Sequence, residues 1–336
     1  MTLTETARAL GWLVRDTFRQ SLAYGIFWLL LAVSLLCISV CATLEIDGAA
    51  TLDQGEGQDF LPRNDPLAQD REKAKASGVS IVSGQMSLAF GALKLPLARD
   101  ARQAVHFIEL VLAIGVADTL GLLLTLVWTA GFLPGFLDGR SVSVLLAKPA
   151  SRWTLLAGKY LGVLCFVLFH ATIFVGGTWL ALGCRTGIWE RTYFWAIPIL
   201  LLHFAIFFSF SAMLAVCTRS TVVCVFGSML FWFVCWGMNF GRHAVLAETY
   251  QPAQADFAGE AVKLVEAGYW VLPKPADIGI LLYDALDAAQ SFGKIAAFQS
   301  VQSHGDFHPW LSILASLGFM AVLLTAANRQ FGELDY

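Results

Sequence analysis

Three side chains of this 336-residue chain are titratable or metal-ligating types set deep in apolar runs: Asp118, His170 and His203. A carboxyl or imidazole held away from water can take up a proton or hydrogen-bond a polar substrate atom. Ionisable groups at membrane depth face either a cavity or a polar partner on another helix. The same residues also fit a structural role, a protonated Asp or a neutral His bridging two helices. Glu109 precedes Asp118 by nine residues, about 900° of α-helix, so the two carboxylates point to opposite faces and form no paired-carboxylate site. Glu109 lies one turn inside the end of its apolar run and is expected to reach the interface. His304 and His308, with Asp306 between them, have a spacing that could offer two metal ligands on one helical face. Pro309 follows at once, so a solvated turn leading into a helix is the expected structure, and no metal is assigned.

The sequence lacks the motifs of self-powered chemistry. It contains no GxxxxGK[ST] and no GxGxxG, so neither a P-loop for ATP nor a dinucleotide-binding turn is expected. HExxH and GxSxG are also missing. No cofactor is expected in the chain, and its work must be powered by something else.

The elements that position these groups are apolar blocks. Hydrophobic residues make up 57% of the chain and charged residues 14%, against roughly 45 to 50% and about 25% in a soluble domain. Six blocks reach the roughly 20 residues needed to cross a bilayer: 22–44, 108–134, 160–183, 193–216, 221–240 and 310–327. Of the charged residues, only Glu109 and Asp118 fall inside them. A charge at mid-membrane costs on the order of 3 kcal/mol, so a bilayer enforces this segregation and a soluble core does not need it. The expected class is an all-α integral membrane protein with six transmembrane helices. Disorder and a small disulfide scaffold are excluded, and so is nucleic-acid binding as a main activity, since the net charge is -3 and no basic stripe is present.

Charge also sets an expected orientation. The segments 1–21, 135–159, 217–220 and 328–336 carry nine basic and five acidic residues. By the positive-inside rule they lie in the cytoplasm, with both termini, in a cell inner (plasma) membrane. Residues 2–21 open on a Thr-x-x-Glu capping box, and Leu3, Ala7, Leu10, Val14 and Phe18 line up at helical spacing while Arg8, Arg15 and Arg19 avoid that stripe. An interfacial helix against membrane lipid is expected there. The two outer segments are 45–107 and 241–309. Helical stretches are expected at 69–76, 260–271 and 277–289, the last two separated by the Pro273, Lys274, Pro275 turn, and a packed lobe at 79–97. Seven cysteines, six of them in or at the ends of spans, supply no outer disulfide framework.

The most informative segment is the loop 135–159. Val142, Val144, Leu145 and Leu146 form a short apolar stretch ending at Lys148 and Pro149, and Ser151 can cap a new helix running into the third span. Arg140, Lys148, Arg152 and Lys159 flank the turn. Physically this is an amphipathic element that anchors to headgroups or docks on a cytoplasmic partner.

The string LLAKPASRWTLLAGKYLG, with Asp138 and Gly139 upstream, resembles the loop between the second and third spans of type 2 ABC exporter permeases. There LL-x-x-P-x-S-R precedes a helix carrying Lys-x-x-Gly. The matching positions are Leu145, Leu146, Pro149, Ser151, Arg152, Lys159 and Gly162. The likeness is closest to permeases grouped with multicopper-enzyme maturation and gliding-motility transporters. The family usually has a Glu-rich element where this chain has Asp138 and Arg140, and the first outer segment is longer than in many members. The resemblance implies a permease subunit without enzymatic activity of its own, paired with a second permease copy and driven by separate cytoplasmic P-loop ATPase subunits that bind ATP and Mg. The residues implied to couple to that ATPase are Asp138, Arg140, Leu145, Leu146, Lys148, Pro149, Ser151, Arg152 and Lys159. Two alternatives stay open: a membrane scaffold or assembly factor that moves no solute, and an integral-membrane enzyme using Asp118 or the histidines.

Overall fold

The computed structural model describes residues 3–23, 25–47, 84–88, 90–97, 101–137, 151–250, 259–288 and 296–333. Helix α1 (Leu3–Ala23) is amphipathic, and α2 (Ile26–Ala42) is apolar around its whole circumference. Gly25, at φ 72°, supplies the left-handed residue between them, a conformation that costs glycine nothing. The two helices diverge by 75°. Trp28 and Leu36 of α2 are 60% and 65% exposed, which suits a helix facing lipid on its outer side.

A small antiparallel sheet follows, with strands β1 (Glu45–Asp47), β2 (Gly84–Leu88) and β3 (Leu93–Leu97) in the order β1-β2-β3. Hydropathy alone placed an unspecified lobe here. The period-two signal is the alternation Leu93, Leu95, Leu97, and Pro96 is tolerated because β3 is an edge strand of the three. The expected helix at 69–76 lies outside the described residues.

The chain then enters the bundle. α3 (Ala101–Leu110) passes into a π-helical segment, Val111–Gly121, and on through α4 (Leu122–Thr129) and α5 (Phe132–Phe136). α6 (Arg152–Thr186) runs 35 residues, about 52 Å at 1.5 Å per residue. A 3-10 turn (Arg191–Trp195) leads into α7 (Ala196–Thr218). Arg219, left-handed at φ 53°, turns the chain into α8 (Thr221–Tyr250). α9 (Gly259–Val271), α10 (Pro275–Ala285) and α11 (Ala296–Ser303) precede the last helix, α12 (Pro309–Glu333).

Among the described residues five helices are long and apolar enough to cross a membrane, six if the bent α1/α2 pair is one span. The protein is therefore a multi-pass, helical membrane protein. The apolar window of α7 is 67% buried and that of α12 only 17%, which makes α7 the central pillar and α12 a peripheral helix. One apolar core surrounds Phe166, Phe207, Phe208 and Phe331; another surrounds Val105, Val175, Tyr193 and Leu282.

Candidate functional site

The π-helical segment is the structural novelty that hydropathy could not reveal. Its winding carries hydrogen bonds from residue i to i+5, and the Thr119 hydroxyl follows the same spacing by donating to the Ile114 carbonyl at 3.1 Å. Such wide turns are frequent at functional sites. The segment forms a wall between two cavities. Ile114, Asp118 and Thr119 line one of about 260 Å³, together with His203 of α7 and Pro275, Ala276, Gly279 and Ile280 of α10. Val116, Ala117, Leu120 and Gly121 line the other, of about 300 Å³, together with α2, α4, α6 and α7.

Asp118 and His203 meet at the first cavity. His203 Nδ1 lies 2.6 Å from Asp118 Oδ1, and both side chains are almost completely buried. With the carboxylate accepting, the proton sits on Nδ1. Nε2 is then buried with no hydrogen-bond partner among the described residues. α10 covers the pair through Gly279, whose position leaves a would-be Cβ 3.9 Å from Asp118 Oδ2. The site can thus hold a proton or present one imidazole nitrogen to a polar group entering the cavity.

His170 does not join them. It lines the other cavity, its ring bounded by the edges of Phe27, Phe166 and Phe169 at centroid distances of 5.1, 4.6 and 5.6 Å. Among the described residues neither ring nitrogen has a hydrogen-bond partner. Glu109 departs from expectation: it is 2% exposed, with Oε2 3.9 Å from His106 Nδ1. The physical reason is length. α3 starts at Ala101, two turns before Glu109, and runs on without a break into the π-helical segment, so Glu109 lies well inside the continuous helix.

At the end of the bundle that carries the termini, the start of α6 is gripped from two sides. Ser151 caps the helix as expected, its hydroxyl accepting from the Thr154 amide at 3.1 Å. Arg152 donates to the Phe331 and Gly332 carbonyls, both at 2.8 Å, and so closes the last turn of α12. Lys159 is fully buried, donating to Gln20 Oε1 at 2.6 Å and pairing with Asp16 Oδ2 at 3.2 Å, with the Phe136 ring 5.6 Å away. Next to it Gly158 and Gly162 let α1 approach until a Cβ would collide with Leu13 or Thr17. The Lys-x-x-Gly pattern therefore docks α1 onto α6, and Lys159 is not a free cation on the loop surface. Asp138, Arg140, Leu145, Leu146, Lys148 and Pro149 lie outside the described residues.

At the opposite end lies a polar hub that sequence reasoning did not identify. Asp277, in the first turn of α10 and fully buried, takes hydrogen bonds from Asn239 Nδ2 (2.8 Å), His243 Nε2 (2.6 Å), Tyr269 OH (3.0 Å) and Ser312 Oγ (2.5 Å). Its own amide donates to Asn239 Oδ1 at 3.0 Å. Burial by itself would push the Asp277 carboxyl up, but the bonds from His243, Ser312 and Asn239 outweigh it and hold the group below the ordinary carboxylate range. Beside it Lys274 is buried under the Tyr269 ring, 4.8 Å from its centroid, and burial pulls its ammonium down. Arg242 also stacks on the Tyr269 ring, 4.0 Å from its centroid, and pairs with Glu266 at 3.1 Å. The hub ties α8, α9, α10 and α12 together. The sequence did carry a partial signal, the Pro273, Lys274, Pro275 turn that starts α10.

His304 closes α11, with Nδ1 donating to the Ser300 backbone carbonyl at 2.8 Å, and Gly305 at φ 81° ends the helix. Among the described residues no group of three His, Cys, Asp or Glu side chains is placed to hold a metal. No curated protein matches the chain. A protein-family model described as "ABC-2 family transporter protein" does match, over residues 12–335. That span takes in the bent N-terminal pair, the π-helical wall, both gripped ends of the bundle and the last helix, so the chain belongs to the ABC-2 transporter family and is a membrane permease component of an ABC transporter.

Proposed function

We propose that the protein is the transmembrane subunit of an exporter, moved by a cytoplasmic P-loop ATPase that binds ATP and Mg and docks on the loop 135–159. The family implies partnership with an ATPase subunit in general, and the grip on the start of α6 supports this docking point. Whatever displaces the loop pulls on Ser151 and Arg152, and through Arg152 on the end of α12. Lys159 and Gly162, about two and three turns further on, carry the same displacement into α1. A rigid element with contacts to two neighbours is what a two-state transmission needs.

Two copies pair to enclose a path, in the plasma membrane and with both termini on the cytoplasmic side, as the nine basic residues of the terminus-side segments favour. Asp118 and His203 form the polar centre of that path. α10, which covers them through Gly279, is anchored by the Asp277 hub, so it can act as the wall that yields when the helices move. The test is isolation in mild detergent from cells making the natural complex. A P-loop ATPase is expected to co-purify, and its hydrolysis is expected to persist but lose its coupling on Arg152→Ala. A permease that never associates with an ATPase contradicts the reading.

A further inference from the structure

The cavity on the His170 side of the π-helical wall has features of a ligand site separate from the Asp118 pair. Its volume, about 300 Å³, is at the lower end of the roughly 300 to 1,000 Å³ of small-ligand pockets. Among the described residues no Asp, Glu, Lys or Arg lines it. Its two hydroxyls are already spent on their own helices, Ser34 on the Leu30 carbonyl at 2.9 Å and Thr125 on the Gly121 carbonyl at 2.6 Å. Among the described lining residues His170 is therefore the one side chain with a donor still unmet, and neither of its ring nitrogens has a partner, although it is 7% exposed.

The depth of His170 decides what can satisfy it. It is the nineteenth of the 35 residues of α6, about 27 Å from the helix start at 1.5 Å per residue, and so near the middle of the span. Buried polar groups are rarely left unpaired, because each orphan costs about 1 to 3 kcal/mol. On the cavity rim Leu120 is 65% exposed, so a ligand enters sideways from the hydrocarbon phase. A neutral imidazole offers one donor and one acceptor nitrogen, and a hydroxyl can meet either.

We infer that this cavity binds an uncharged amphiphile from the bilayer, an alkyl chain bearing a hydroxyl, with the hydroxyl hydrogen-bonded to His170 and the chain lying against Val33, Ala117, Leu120 and Phe174. Binding needs no ATPase, so it stands or falls apart from the transport reading.

The test uses the full-length protein in phospholipid nanodiscs with two photoactivatable probes, hexadecanol and hexadecane, each carrying a mid-chain diazirine. The alcohol is expected to label peptides containing Val33, Leu120 or Phe174 about tenfold more than the alkane, the ratio set by one hydrogen bond of about 1.4 kcal/mol. His170→Phe, which keeps a ring of similar shape, is expected to erase that preference, and His170→Gln, which keeps a donor and an acceptor, to retain part of it. Ala171→Leu fills the cavity without touching His170 and is expected to lower labelling by both probes, which keeps the test decisive if His170→Phe fails to fold. Equal labelling by the two probes in the unaltered protein overturns the proposal. So does an alcohol preference that survives His170→Phe, or cavity residues that cross-link to a second copy of the chain instead of to probe.

Discussion

Asp118 and His203 sit 85 positions apart in sequence and 2.6 Å apart in space, on two helices that both border the same cavity. The contact leaves one imidazole nitrogen without a hydrogen-bond partner among the described residues. A buried ion or hydrogen-bonded pair of this kind resists the loss of one member more than the loss of its charge, because an orphaned group keeps its full desolvation cost.

Replacing Asp118 therefore separates charge from hydrogen bonding. Asp118→Asn keeps an acceptor for His203 and is expected to lower stability by under about 1 kcal/mol, whereas Asp118→Leu strands the imidazole and is expected to lower it by about 1 to 3 kcal/mol. Thermal unfolding in one detergent measures both. Equal losses would show that the pair makes no specific contact.

Docking of α1 rests on Lys159 and on the absence of side chains at Gly158 and Gly162. Gly162→Leu forces a Cβ into Thr17 and is expected to release α1, seen as faster hydrogen exchange across residues 3–23. Lys159→Met removes the bonds to Asp16 and Gln20 and is expected to do the same. Because either change alone already releases the same interface, the double variant is expected to lose less than the sum of the singles, the non-additivity that neighbouring sites show. Unchanged exchange in both variants would contradict the assigned role.

For Asp277 the direction of the pH effect follows from its lowered folded-state pKa. A carboxyl held below its unfolded value, about 3.9, contributes stability that is complete above that value and is lost as pH falls through the folded value. Protection of α9 and α10 from hydrogen exchange should thus be flat from pH 7 to about 5 with respect to this group, and weaken only in stronger acid. Asp277→Ala leaves Asn239, His243, Tyr269 and Ser312 without their common acceptor and is expected to cost about 3 to 5 kcal/mol, in the range for breaking a buried pair. Peptides from 259–285 should then exchange as an open segment at neutral pH.

Much of the architecture was legible in the sequence because a bilayer imposes a one-dimensional rule. Charges must leave the apolar blocks, so 160–183 and 193–216 could be placed inside α6 and the helix pair Arg191–Thr218, and the Pro273 to Pro275 turn foretold the break between α9 and α10. What stayed hidden depends on distance in space. Asp277 reads as an ordinary acidic residue in the first turn of a short helix, since its partners Asn239, His243 and Ser312 come from two other helices. Lys159 reads as a loop cation until α1 folds back over it. The π-helical winding leaves no mark in the hydropathy, because its residues are as apolar as those of any span.

The central claim is that movement of the loop 135–159 reaches α1 and α12 through the first turns of α6. It is tested most directly by spin labels at two exposed positions, Leu22 at the end of α1 and Trp310 at the start of α12, on a background without the exposed Cys165, Cys184 and Cys217. Distances are read in the complex with its ATPase, before and after trapping with ATP and vanadate. The account predicts a distance change on trapping that disappears in Arg152→Ala combined with Gly162→Leu while ATP hydrolysis continues. A distance that stays the same on trapping, or one that changes equally in the double variant, contradicts it.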